Sequence, residues 1–129
     1  MDGVDGWITF TRDRDVAAFG AHLEPDVLFR SPILFRPVEG RAKVLTYLAG
    51  GIAVLGGDHF RYTRVWRDAT GAAMQFETYI DETWLNGVDL IELGSEGGRI
   101  ASFTVMVRPS RGVNLLHRTM AQYLEGSRG

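Results

Sequence analysis

The stretch NGVDLIEL, residues 86–93, decides how the second half of the chain is interpreted. Side chains alternate along a strand, so Asp89 shares one face with Leu85, Ile91 and Leu93, while Glu92 belongs to the opposite face. Burying a carboxylate among aliphatic side chains as an unpartnered ion is costly. The carboxyl group of Asp89 is therefore expected to be paired, neutral or in contact with water in a cavity.

The length and composition indicate a folded protein with one core. The chain has 129 residues, of which 45% are hydrophobic and 23% charged, values that suit a single domain spanning 1–129. The net charge is −2, and the 14 basic residues are scattered without a run that could follow a phosphate backbone. We therefore expect no nucleic-acid partner.

Several classes of site are excluded by residue type. The chain has no cysteine, which excludes disulfides and thiolate chemistry. His22, His59 and His117 stand far apart without metal-site spacing, so we expect no metal and no cofactor. The start of the chain carries early acids and is unlike a signal peptide, and no segment approaches the ~20 apolar residues of a membrane span. The expected location is the cytoplasm, with no membrane partner.

The apolar pattern predicts helices first and a run of strands later. Helical spacing occurs near the N-terminus, in a short pattern from Val16 to Leu23, and from Val44 to Leu55. DVLFRSP (26–32) is typical of a strand ended by proline. Four alternating runs then predict an antiparallel meander, with DATG, DE and GSEGG as turns: HFRYTRVW (59–66), AAMQFETYI (72–80), TWLNGVDLIEL (83–93) and RIASFTVMVRP (99–109).

Two further features complete the predicted architecture. The hairpin turn is expected at Asp81-Glu82 rather than at Asn86-Gly87, which leaves Gly87 inside a strand as a candidate bulge. An amphipathic pattern from 113 to 124 predicts a closing helix. Helices, a strand, a helix and then hairpin-connected strands make the fold class α+β.

The string VLFRSPILFRPVEGRAKVLTYL (27–48), the later GVDLIEL and GRI, and the final strand together resemble the nuclear transport factor 2-like superfamily. The SnoaL-like polyketide cyclases and ketosteroid isomerases are the most similar in pattern. The resemblance covers about 7–108, with a helical extension over about 110–125. It implies a cone-shaped, curved antiparallel sheet wrapped around N-terminal helices, a cystatin-like α+β barrel with a deep apolar pocket. It also implies a homodimer through the outer sheet face.

The resemblance also implies roles for three residues. Asp89 falls where a ketosteroid isomerase keeps a neutral aspartic acid as a hydrogen-bond donor. Ser31 falls on the position of that enzyme's aspartate base, and Trp7 on that of its second donor, a tyrosine. A serine is a poor base near neutral pH, and an indole N–H donates without exchanging its proton in catalysis. Trp7 would offer its N–H to a ligand oxygen, and the pair with Asp89 would lack a base.

The same alignment predicts which other side chains line the pocket: Phe29, Met74, Phe76, Thr78, Phe103, Val105 and Val107. Such a lining suits a small hydrophobic molecule bearing a carbonyl or hydroxyl group. Three hypotheses follow: a cofactor-independent isomerase or cyclase-like enzyme with acid–base chemistry on Asp89, a binding module without turnover, and a dimeric scaffold with a filled interior. As a purely structural residue, Asp89 would instead accept backbone hydrogen bonds or pair with an arginine such as Arg108.

Overall fold

The computed structural model describes residues 1–95 and 98–128, and only the backbone of residues 127 and 128. Residues 96 and 97 of the predicted GSEGG turn, and residue 129, lie outside the described residues. The helices are α1 (Gly3–Asp13), α2 (Val16–Gly20), α3 (Arg41–Leu55) and α4 (Ser110–Arg128). The strands are β1 (Leu23–Arg30), β2 (Val38–Glu39), β3 (Arg61–Asp68), β4 (Gly71–Ile80), β5 (Thr83–Leu93) and β6 (Ile100–Arg108).

The strands form one curved, unclosed sheet in the order β2-β1-β6-β5-β4-β3. The α+β class and the curved sheet around the N-terminal helices are confirmed, and β3 to β6 form the predicted antiparallel meander. One pair of strands departs from the antiparallel pattern, because β1 and β6 are parallel. Short hairpins force neighbouring strands to be antiparallel, whereas the long connection from β1 to β6 leaves either direction open.

The strand that carries Asp89 is regular through the Asn86-Gly87 pair. The turn lies at Asp81-Glu82 as predicted, and Gly87 pairs with Phe76 on β4 without a register shift, so β5 has no bulge there. A Cβ added at Gly87 would lie 2.5 Å from Cζ of Phe76. Glycine at this position therefore lets the Phe76 ring lie directly on the strand backbone.

The second helix is shorter than the periodicity predicted. It ends at Gly20, and Leu23 belongs to β1 rather than to the helix. Pro25 pushes the residue before it into an extended conformation, which keeps the segment from Leu23 onward in a strand rather than in a helix. Strand β1 consequently starts before Pro25 and ends at Arg30, one residue short of Ser31.

An ion-pair network ties α1 to the far end of β3. Asp2 caps the helix by accepting a 3.0 Å hydrogen bond from the backbone amide of Asp5. Arg67 on β3 lies 3.0 Å from a carboxylate oxygen of each of these two residues. The guanidinium group of Arg67 keeps the pKa of Asp5 below its ordinary value, chiefly by hydrogen bonding. This network helps to set α1, and with it Trp7, against the inner face of the sheet.

The interior contains two apolar clusters. The larger joins α1, α2 and α3 to the inner face of the sheet, and the rings of Phe10 and Phe19 stack within it at 4.8 Å between centroids. The smaller lies under α4 and includes Leu85, Leu116 and Met120. In the described part of the chain, no helix is both long and apolar enough to cross a membrane.

Replacing Gly87 by alanine should destabilise the fold. The added Cβ would also lie 2.5 Å from the carbonyl oxygen of Met106, so both strand backbone and ring must shift, at a cost of about 1–3 kcal/mol. The control is Gly51→Ala in α3, where an added Cβ meets nothing within 4 Å. Alanine in a helix interior should stabilise the protein by about 0.5–1 kcal/mol. Urea denaturation measures both, and equal stability of the two variants would contradict the packing argument.

Candidate functional site

Asp89 lies at the centre of the sheet with its side chain on the inner face. It pairs with Met74 on β4 and with Val105 on β6, so ordered strands flank it on both sides. Only 4% of the residue is exposed, and the next residues on the same face, Gly87 and Ile91, are also buried. The alternation of β5 thus puts a carboxyl group into the apolar interior.

A tyrosine from the edge strand β3 supplies the hydrogen bond that this carboxyl group needs. The Tyr62 hydroxyl donates to Oδ2 of Asp89 at 2.6 Å. The same hydroxyl oxygen accepts a hydrogen bond from Nε1 of Trp7 at 2.7 Å. The Tyr62 ring is held by edge-to-face contacts with Phe60 and Phe76, at centroid distances of 5.1 Å and 6.4 Å. Three residues from α1, β3 and β5 therefore form one hydrogen-bonded chain.

This chain differs from the pair that the sequence suggested. The indole N–H of Trp7 is directed to Tyr62, whereas the sequence analysis assigned it to a ligand oxygen. Arg108, the arginine considered as a partner of Asp89, donates instead to Oδ1 of Asn86 at 2.7 Å. Tyr62 was missed, because its β3 register against β4 shifts between Tyr62 and Arg64 and cannot be read from alternation alone. One feature of the sequence could have indicated it: Tyr62 lies two residues after Phe60 in HFRYTRVW, so the two side chains share a face of the strand.

The protonation of the two acidic groups differs sharply. Burial raises the pKa of Asp89 from an ordinary value of 3.8 to about 7, and the hydrogen bond from Tyr62, followed by the nearby indole N–H of Trp7, limits the rise. Burial, reinforced by the neighbouring Asp89 charge, raises the pKa of Tyr62 far above its usual range. Tyr62 therefore keeps its proton, while Asp89 is present in both its neutral and its ionised form near pH 7.

A cavity of about 60 Å³ adjoins the Asp89 carboxyl group. The sheet, the loop after β1 and the segment before β3 supply part of its wall, and α1, α3 and α4 supply the rest. The residues that line it are Trp7, Phe29, Ser31, Pro32, Ile33, Tyr47, Leu48, Gly51, Ile52, Leu55, Phe60, Phe76, Asp89, Phe103, Val105, Leu116 and Met120. Among these described residues Asp89 is the one carboxyl group, and Tyr47 is the other titratable side chain.

The predicted lining residues divide into two groups. Trp7, Phe29, Ser31, Phe76, Phe103 and Val105 line the cavity together with Asp89. Three others lie outside its lining: Met74 is fully buried in the larger core cluster, Thr78 donates to the carbonyl oxygen of Leu55 at 2.7 Å, and Val107 packs on the cluster under α4. The alternation of side chains identifies which face of the sheet is inward. It does not show which part of that face the helices cover and which part borders the cavity.

The wall contributed by α3 and α4 was not predicted from the sequence. Leu48 and Ile52 of α3, and Leu116 and Met120 of α4, line the cavity opposite the sheet. Their helical spacing predicted buried faces, and a buried face does not distinguish a packed contact from a cavity wall. Only the crossing of the helices over the sheet produces the space.

Neither Ser31, at the position where the resemblance implies a base, nor His59 is an evident base in the structure. The Ser31 hydroxyl lines the cavity, and its oxygen accepts a 3.1 Å hydrogen bond from the amide of Ile33. His59 lies before β3 rather than within it, and its ring packs edge-on against Tyr79 at 5.7 Å between centroids. Within the described ranges, no group of three or more metal-ligating side chains occurs.

The model of the SnoaL-like domain family matches residues 4–103. A steroid delta-isomerase from Pseudomonas aeruginosa is 31% identical with a TM-score of 0.89, over 97% of this chain and 90% of that one. A protein with a cystatin-like fold from Silicibacter pomeroyi is 29% identical with a TM-score of 0.86, over 95% and 85%. Comparison with curated proteins finds no match.

A de novo designed protein with a curved β-sheet is 14% identical with a TM-score of 0.71, over 94% of this chain and 93% of that one, and shows the fold alone. The family model is different evidence, because it matches the sequence over most of the chain and includes α1 with Trp7, β3 with Tyr62 and β5 with Asp89. The predicted resemblance is confirmed, and the chain belongs to the SnoaL-like domain family of the nuclear transport factor 2-like superfamily.

Proposed function

We propose that this protein binds a small, mainly apolar molecule carrying a carbonyl or hydroxyl group, with that oxygen against Asp89. The observation that supports the proposal is one carboxyl group with a pKa of about 7 in a cavity whose other walls are almost entirely apolar. Binding sites commonly combine an apolar lining with a few polar groups that orient the ligand. Here Asp89 is the group that distinguishes an oxygenated ligand from a hydrocarbon.

The cavity size limits the part of the ligand that reaches Asp89. Its volume of about 60 Å³ is smaller than the ~150 Å³ of an apolar cavity that takes benzene. We therefore propose that the oxygen-bearing end of the ligand has no more than one ring, and that a ring enters only if a side chain of the wall moves. Met120 on α4 is the wall residue best able to move and enlarge the cavity, because its unbranched side chain has many accessible rotamers.

Acid–base chemistry of the isomerase or cyclase kind is the catalytic form of this proposal. A group that titrates near the working pH can both donate and accept a proton efficiently. With Ser31 where a base is implied, Asp89 would itself take a proton from a carbon next to the carbonyl and return it to another. The 31% identity with a protein described as a steroid delta-isomerase supports this class of reaction.

Binding without turnover is the second candidate, and the hydroxyl of Ser31 is the observation that favours it. A ligand would then be held by Asp89 without a separate base to start the chemistry. Cyclohex-3-enone separates the two candidates, because its isomerisation to the conjugated ketone is visible in ultraviolet absorbance. Faster conversion by the wild type than by Asp89→Asn supports the enzyme, and equal background rates with measurable binding support the binding module.

Ketone binding should depend on pH in the wild type and not in Asp89→Asn. Neutral Asp89 donates to a carbonyl oxygen and the ionised form does not, so affinity for cyclohexanone should fall up to about tenfold per pH unit above pH 7. An amide side chain donates at every pH. Calorimetric titration from pH 5.5 to 8.5 measures this, with Glu92→Gln on the exposed side of β5 as the control that keeps the dependence. A flat wild-type profile, or no binding at any pH, contradicts the proposal.

The same carboxyl group should make the wild type less stable as pH rises. The folded pKa of about 7 exceeds the ordinary value of 3.8, so between these values the folded state holds a proton that the unfolded chain has released. The free energy of unfolding should therefore fall from about pH 4 to about pH 7, by roughly 4 kcal/mol at most. In urea denaturation, the Asp89→Asn variant should not show this decrease in the free energy of unfolding. Parallel profiles for the two proteins would contradict it.

We also propose a homodimer through the outer face of the sheet. This face carries exposed Trp66, Tyr79, Trp84 and Met106, of which Trp66 is 54% and Met106 55% exposed. Large apolar side chains grouped on one sheet face are typical of an interface between subunits.

A charge placed in this face should break the dimer. Met106→Glu should convert a dimer into a monomer in sedimentation velocity runs at micromolar concentration, because a carboxylate would be buried unpaired. The control is Phe35→Glu, since Phe35 is exposed in the loop after β1 and away from the sheet face. A wild type that sediments as a monomer would contradict the dimer.

A further inference from the structure

The hydrogen bonds that join Trp7, Tyr62 and Asp89 have a fixed donor-to-acceptor direction. The indole nitrogen of Trp7 has a hydrogen and no lone pair to offer, so it can donate to Tyr62 but cannot accept from it. The two links are short, at 2.7 Å from Trp7 to Tyr62 and 2.6 Å from Tyr62 to Asp89. The phenol hydrogen of Tyr62 must therefore go to Oδ2 of Asp89, its acceptor in the structure.

We propose that Trp7 and Tyr62 are positioning residues that keep Oδ2 of Asp89 occupied as an acceptor, so that the exchangeable proton of this carboxyl group resides on Oδ1. The inference deepens the proposed function, and it rests on that function only where a ligand meets the proton. It gives Trp7 a different role from the ligand donor suggested by the sequence. Trp7 acts through Tyr62 on the state of Asp89.

If the hydrogen bond between Tyr62 and Asp89 ran in the opposite direction, the phenol hydrogen of Tyr62 would have no acceptor. If neutral Asp89 donated from Oδ2 to Tyr62, the phenol hydrogen would have to turn towards the apolar rings of Phe60 and Phe76, which pack against it. An unsatisfied donor in such surroundings is strongly disfavoured. A tyrosine in place of Trp7 would accept this hydrogen, whereas tryptophan cannot. The identity of the residue at position 7 therefore decides the direction.

Within the described part of the cavity wall, no other charged group lies beside Asp89 to influence its protonation. The elements around Asp89 present Trp7 from α1, Ser31 after β1, Tyr47 from α3, Tyr62 from β3, Val105 from β6, and Leu116 and Met120 from α4. Of these, Tyr62 and Tyr47 are titratable, and both are phenols, which carry no positive charge in either protonation state. The carboxyl group is thus tuned by hydrogen bonds and burial rather than by a neighbouring cation.

The consequence concerns which oxygen a ligand would need. With its proton on Oδ1, neutral Asp89 presents a donor and selects a ligand oxygen that accepts, as in a ketone. After ionisation, Oδ1 becomes an acceptor and selects a ligand that donates, as in an alcohol or a phenol. Trp7 and Tyr62 do not touch the ligand oxygen in this arrangement. They determine which form of Asp89 it meets at a given pH.

The test is the titration of Asp89 in the ligand-free protein, followed through the carboxyl ¹³C resonance in NMR. Tyr62→Phe keeps the ring and removes the hydroxyl, and Trp7→Phe removes the indole donor. Both hydrogen bonds favour the ionised carboxylate, so each variant should raise the pKa of Asp89. The acid dissociation constant should fall about three- to tenfold, more in Tyr62→Phe than in Trp7→Phe.

A general loosening of the core gives the opposite sign. Water that enters the cavity solvates the carboxylate and lowers the pKa of Asp89. The control Phe10→Leu removes an aromatic contact with Trp7, whose ring centroid lies 5.9 Å away, without removing a hydrogen bond. An unchanged or lowered pKa in Tyr62→Phe and Trp7→Phe overturns the inference, and so does an equal rise in Phe10→Leu.

This experiment is independent of ligand binding, so the two proposals can fail separately. If the titration shifts as expected and cyclohexanone does not bind, the positioning roles stand and the proposed function fails. If cyclohexanone binds with the expected pH dependence and the titration does not shift, the function stands and the positioning roles fail.

Discussion

A carboxyl group in the middle of a sheet must be solvated by something, and in this protein the Tyr62 hydroxyl takes the place of water. That single hydrogen bond, 2.6 Å long, joins the edge strand β3 to the central strand β5 across β4. It is possible because the register of β3 against β4 shifts beyond Tyr62. The second link of the chain requires α1 to lie against the same face, and Arg67 at the other end of β3 anchors that helix through Asp2 and Asp5.

Polar and apolar parts of the interior therefore depend on each other. Burial by the aromatic rings is what raises the pKa of Asp89, and the same rings exclude other acceptors for the Tyr62 hydrogen. Were the cavity wet, the carboxyl group would ionise like one on the surface, and the direction of the hydrogen bonds would matter little. A small apolar cavity with one titratable group at its wall is thus a single physical unit, in which packing controls protonation.

The parts of the fold that depend on local pattern were predictable from the sequence. The turn at Asp81-Glu82 and the inward face of β5 follow from turn chemistry and from the alternation of side chains. The parallel pairing of β1 with β6 and the approach of Tyr62 to Asp89 depend on how distant segments meet, and local pattern carries no such information. For the same reason Asp89 could be found as an anomaly within one strand, while its partner and the helical wall of the cavity could not.

The energetics of Asp89 also bear on the scaffold hypothesis. A domain that serves only as a scaffold gains nothing from a carboxyl group in its core, since an amide would accept the Tyr62 hydrogen bond without any cost of ionisation. Aliphatic and aromatic side chains together already form most of the surrounding wall. A group that is expected to lower stability as pH rises towards 7 supports the proposed function, in which a proton must come and go. The cavity beside it is where a ligand would use that proton.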